Sequence, residues 1–180
     1  MNLKRIVTGS QSIFFPEGGA FTIPAAGIAG VASKPGATDP AFLVLGAIKW
    51  SKNPTHKTEN YMEASPGSYV ATDEIVLSKG ITLKGKLEKQ SNFAVQLQQA
   101  CAALPVSPAA GGVFNPLSGP PVVRGWLHVQ EYDQNDTLVN TVDYWVAMKA
   151  SGDTNNDDKA TETPIEAVVL FSTLNVGTLA

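Results

Sequence analysis

The side chains able to do chemistry are few and scattered. Cys101 is the sole thiol, and His56 and His128 are the two imidazoles, so a thiol site would have to be assembled from distant positions. Cys101 recurs with Phe93, Leu97, Ala100 and Leu104 at spacings of three and four. On that apolar helical stripe an inert buried thiol is expected. No G-x-S-x-G stretch, serine–histidine–acid grouping or glycine-rich phosphate cradle occurs. Asp153-Thr154-Asn155-Asn156-Asp157 alternates oxygens as a calcium loop does. Asp158 stands where that loop needs glycine, however, and Pro164 where it needs glutamate, which leaves a solvated acidic loop. Lys84, Lys86 and Lys89 make a short basic edge that reads as a solvated strand face, given a pI of 5.3 and no interleaved aromatics. The expectation is a protein with no catalytic residue, cofactor or metal, and not an enzyme.

The frame that must position these residues is one domain of ordinary size. The chain has 180 residues, 43% hydrophobic and 16% charged, with a net charge of -3. A single cysteine cannot form an internal disulfide. The basic start Lys4-Arg5 is followed by no apolar stretch of signal-peptide type, and no run of 18 apolar residues occurs, so synthesis and folding in the cytoplasm, away from membrane, are expected. Charge is uneven along the chain. Residues 131–166 hold most of the acids against Lys149 and Lys159, whereas residues 1–90 are net basic, a split that suits contact between copies.

Three segments rich in proline, glycine or polar residues break the pattern, at 16–40, 105–121 and 151–164. Between them the period is two. Glu74 to Lys89 puts Ile75, Leu77, Ile81, Leu83 and Leu87 on one face and predicts a long half-buried strand, with a weaker strand at Thr55 to Glu63 and another at Phe42 to Trp50. Val122 to Glu131 and Thr137 to Lys149 predict a hairpin, and Ile165 to Leu174 a central strand covered on both sides. One helix is predicted at about 91–104, capped by Ser91 and stopped by Pro105. The fold class expected is mainly β, a β-sandwich or barrel with one packed α-helix and long extended arms or loops: an N-terminal arm and loop at 1–41, then the β domain at 42–180.

Burial sets the hairpin register. Pairing Val129 with Asn140 and Leu127 with Val142 gathers Val123, Leu127, Val129, Leu138, Val142 and Val146 on one face. Arg124, Trp126 and His128 then share the polar face with Thr141, Asp143 and Trp145, a candidate lumen or interface surface, because large aromatics on a nominally exposed sheet mark contacts. Asp153, Asp157 and Asp158 form a candidate inter-subunit loop.

The order of these features resembles the tail tube proteins of long-tailed, non-contractile bacteriophages. The likeness lies in Leu45-Gly46-Ala47-Ile48-Lys49-Trp50 leading to a protruding loop, and in the strand-to-helix run from Gly80-Ile81-Thr82-Leu83-Lys84 through Ser91-Asn92-Phe93 to Ala100. The sheet strands at 123–149 and 165–174 complete it. It implies a major tail protein whose copies close into hexameric rings and stack into a tube. Its partners would be other copies, the tape measure and further tail proteins. DNA would pass through the lumen without specific binding, and the site of action would be the virion tail. Tubes of contractile phages and of type VI secretion, and tail terminators, belong to the same class. The alternative is a carbohydrate- or ligand-binding β-sandwich of a fibre or surface protein, with Trp126, Tyr144 and Trp145 as its stacking platform.

Overall fold

In the computed structural model, residues 7–87, 91–104, 113–154 and 162–180 are described. They form strands β1 (Val7–Pro16), β2 (Ala20–Phe21), β3 (Gly27–Ile28), β4 (Leu43–Ala47), β5 (Ser51–Ser65), β6 (Ser68–Leu87), β7 (Val123–Asp133), β8 (Leu138–Ala150), β9 (Thr163–Val169) and β10 (Val176–Leu179), with helix α1 (Asn92–Gln99) between β6 and β7. The protein is mainly β. One eight-stranded antiparallel sheet runs β4-β1-β7-β8-β9-β6-β5, with β10 paired to β8, and β2 and β3 make a separate two-stranded ribbon.

β4 and β5 lie at opposite ends of that order, yet only residues 48–50 join them. The sheet must therefore roll up. The seam is visible where a Cβ on Gly85 of β6 would stand 2.5 Å from Ile48 Cγ2, so only glycine fits there. Trp50 Nε1 donates to Ser12 Oγ at 2.8 Å, and Lys52 Nζ reaches Glu131 Oε1 at 2.5 Å across the inside of the roll. Its interior is filled by Phe14, Leu83, Leu87, Leu127, Val129, Val146, Met148 and Ile165. Helix α1 adds Phe93, Ala94 and Leu97 to that core, with the Phe93 ring 5.1 Å from that of Phe14.

Ser91 caps the helix as expected, its Oγ accepting from Ala94 N at 3.1 Å. The helix ends earlier than its apolar stripe suggests. Ala100 turns left-handed at φ 47, and the carbonyls of Gln99 and Ala100 accept from Leu117 N and Gly119 N, which return along the helix end. Cys101 is fully buried just beyond. Pro105, the expected stop, and Lys89 of the basic edge lie outside the described residues.

Two further expectations are corrected. The segment 1–41 is not simply an arm: β1 is an inner strand between β4 and β7, because Ile13-Phe14-Phe15 offers apolar side chains to both faces. The 123–149 hairpin forms with the expected division of faces, but its register slides by two residues, to Val129↔Val142, Leu127↔Tyr144 and Trp126↔Trp145. A shift of two keeps every side chain on its own face, so burial alone does not distinguish the two registers. The turn decides: Asp133 Oδ1 accepts from Asn135 N at 2.8 Å and Thr137 N at 3.0 Å, while Asp136 adopts φ 58.

Candidate assembly surface

The face of β7 and β8 expected to be polar and open is instead a second core. Phe15, Phe21, Ala29, Trp126 and Trp145 are buried together, with Phe42, Leu170 and Leu174 packed against them. Residues 17–42 fold over this face. Trp126 is 1% exposed and Trp145 3%, with ring centroids 5.3 Å apart. Trp126 Nε1 donates to the carbonyls of Gly30 and Ser33 at 2.9 and 3.0 Å, tying the cover down. Asp39 locks its far end: Oδ2 accepts from Thr22 N and Ile23 N at 2.7 and 2.9 Å, and Oδ1 accepts from Ala41 N at 3.0 Å. These donors, Ala41 N foremost, outweigh desolvation and lower the Asp39 carboxyl below its usual range.

His128 and Asp143 do meet. His128 Nδ1 is 2.6 Å from Asp143 Oδ1, and Lys34 Nζ from the cover is 2.6 Å from Asp143 Oδ2 and 5.8 Å from the Trp126 ring centroid. Partial burial pushes the Asp143 carboxyl up, but the hydrogen bonds from His128 and Lys34 and their charges outweigh it, and the net shift is downward. The cluster is a clamp holding residues 30–34 on the sheet. Of the remaining members of that face, Arg124 is exposed, whereas Thr141 is half-buried, with Thr178 of β10 beside it in the ladder. Tyr144 points to the opposite, inner side near Glu131 and Lys52, where burial raises its hydroxyl pKa. The aromatic platform needed for carbohydrate stacking is therefore absent, since its two indoles are filled against by the chain itself. Asp153 is exposed, and Asp157 and Asp158 lie outside the described residues.

The surface that the monomer leaves unpartnered is elsewhere, on β5 and β6. Only Thr82–Leu87 of β6 pairs with β9; from Ile81 back to Ser68 its hydrogen-bonded neighbour is β5 alone. At about 3.3 Å per residue this two-stranded ribbon projects roughly 45 Å from the sheet. The Pro66-Gly67 turn closes it, with Gly67 at φ 84. Pro54 sits on the outer strand β5, where no ladder donor is needed. Bulges between Lys57 and Thr58 and between Tyr61 and Met62 leave Leu77 and Thr72 of β6 as the extra residues.

Alternation on this ribbon does not lead to burial. Ile75, Val76 and Leu77 are consecutive and 49%, 58% and 50% exposed, so both faces show apolar side chains. Tyr61, Met62 and Tyr69 continue the exposed apolar surface toward the tip. Alternation assigns Ile75, Leu77 and Ile81 to a core face with Leu83 and Leu87. Only the last two are core, because the sheet ends at Thr82. The missed signal was the apolar triplet itself, which a half-buried strand would interrupt with a polar residue.

Among the described residues no helix is long and apolar enough to cross a membrane, and no group of three metal-ligating side chains comes together. No family model matches the sequence, and no curated protein is similar to it in sequence. Among the solved structures that resemble this chain are two from the anti-feeding prophage. One is a chain of the anti-feeding prophage baseplate, solved by cryo-EM with six-fold symmetrisation, at a TM-score of 0.49 and 9% identity over 99% of this chain and 97% of that one. The other is a chain of the anti-feeding prophage cap, which terminates the tube, at a TM-score of 0.45 and 6% identity over 100% of this chain and 95% of that one.

Proposed function

We propose that this protein is a non-enzymatic structural subunit of a phage-type tail. Its copies close into rings, six to a ring as the tail tube resemblance implies, and the rings stack into a tube that conducts DNA from the virion. The observation that carries the reading is the β5–β6 arm. An isolated two-stranded ribbon is marginal in water, and one with apolar side chains on both faces gains its stability by lying between other surfaces. Copies of the same chain supply such surfaces in a closed or stacked assembly. The exposed edges of β4, β5 and β10 add unpaired strand borders that neighbouring copies can cover.

In this reading the β5–β6 arm, which occupies the place of the loop expected after Trp50, carries contacts between subunits. Asp153, with the rest of the 151–164 segment, and the exposed Arg124 contribute at the interface or lumen. The tape measure and other tail proteins are the further partners, and the virion tail is the final location after synthesis in the bacterial cytoplasm. The test is sedimentation velocity and negative-stain microscopy of the full chain against a variant in which residues 55–79 are replaced by a short Asn-Gly turn. Rings or tubes from the full chain and monomers from the shortened one are expected. Equal behaviour of the two, whether both assembled or both monomeric up to high micromolar concentration, would overturn the proposal.

A further inference from the structure

Charge is segregated along the arm. Its outer half, residues 58–77, carries Glu59, Glu63, Asp73 and Glu74 and no lysine or arginine. Its root carries Lys57 and Lys79, next to His56, which stands directly opposite Lys79 in the ladder, and no acid. Cross-strand ion pairs would be the usual result in a ribbon that served only itself. Here Glu59 faces Ile75, Glu74 faces Asn60, Asp73 faces Tyr61, and Lys57 faces Ser78. None of these six charged side chains has an ion-pair partner among the described residues. Nearer the sheet the lysines are matched at home, Lys84 with Glu166 at 3.7 Å and Lys86 with Glu162 at 2.6 Å.

We infer that the acidic outer half of one arm seats on the basic root of the arm of a second copy. This rests on the self-assembly reading above and names the contact between copies. An acidic surface meeting a basic surface on the same polypeptide lets each copy offer both halves of the contact, so that one arm can bind a second copy while its own root receives another. Ile75, Val76 and Leu77 form the inner end of the acidic half, next to the basic root, so the same seating desolvates the apolar triplet. Like charges meet in every arrangement that pairs outer half with outer half, which disfavours parallel, in-register arms.

The test is charge-swap complementation in the full-length chain. One variant carries Glu59→Lys, Glu63→Lys, Asp73→Lys and Glu74→Lys; the other carries Lys57→Glu and Lys79→Glu. Each alone should need at least tenfold higher concentration than wild type to assemble at low salt, because each repels itself. An equimolar mixture should recover assembly, with both variants present in equal amounts in the sedimented material. Assembly of the wild type should weaken between about 50 and 500 mM salt as the charges are screened. Thermal unfolding of each variant monitors its fold, and co-assembly itself shows that both are folded. If the wild type assembles but the mixture stays dispersed, or the root variant assembles as well as wild type, the outer half meets something other than a second copy's root and the inference fails while the tail reading stands. If the wild type never assembles, both fail.

Discussion

β6 is a single strand with two fates. At Leu83 and Leu87 its side chains are 1% and 2% exposed in the rolled sheet; at Ile75 and Leu77, a few residues earlier, half of the side-chain surface is open. Residue type and backbone conformation are the same in both places. What differs is the number of neighbours across the ladder, two where β9 is present and one where it is not. The body is sealed from both sides: β1 alternates Phe14 inward and Phe15 outward, β7 alternates Leu127 and Trp126, and β8 alternates Val146 and Trp145. The arm is sealed from neither. A hydrophobic strand therefore reports burial only together with its neighbours, and in an assembling protein those neighbours belong partly to other molecules.

The contrast can be broken most violently in the body. Val146→Asp places an unpaired carboxylate at a fully buried position and should cost about 4 kcal/mol or more, abolishing the cooperative thermal transition. Trp126→Ala removes the centre of the outer core and both hydrogen bonds to the cover, and should lower stability by about 3–5 kcal/mol in urea titration. Lys34→Ala releases the clamp on Asp143 and should cost roughly 1 kcal/mol, since the pair is partly solvated. Acid gives a graded test. The folded carboxyls of Asp39 and Asp143 both titrate below their ordinary range, so the stability they contribute is complete above the unfolded value near about 3.9. It is lost as pH falls through that value toward the lower folded one. Asp39→Asn should flatten this acid limb in denaturation curves recorded from pH 6 to 2. The smallest effect on folding belongs to the arm: Ile75→Ser with Leu77→Ser should change monomer stability by no more than about 0.5 kcal/mol while abolishing assembly. A large loss of monomer stability there would show that the arm packs against its own body.

Much of the body was legible in sequence because its signals are local. The hairpin at 123–149 and the Ser91 cap follow from alternation, turn residues and a capping hydroxyl. The central strand expected at Ile165 to Leu174 forms between β8 and β6 but ends at Val169, with Phe171 beyond it 85% exposed. The second core was not legible. Trp126, His128, Asp143 and Trp145 alternate with an apolar face and so read as the solvent side, but residues 17–42 close over them through contacts that span about a hundred positions, such as Lys34 with Asp143. The arm was half legible. A protruding loop after Trp50 was expected from the family resemblance, whereas its strands were misjudged as half-buried, since periodicity cannot say where a sheet ends.

The unbroken run of β6 from the tip of the arm into the wall of the body has a mechanical consequence. Tension applied along the arm does not peel the ladder open one bond at a time. It loads Thr82–Leu87 against β9 lengthwise, in shear, so that the hydrogen bonds of that stretch yield together. With Gly85 wedged at the Ile48 seam and Lys52 tethered to Glu131, a pull arriving from outside is passed also to the Ile48 seam and to β7.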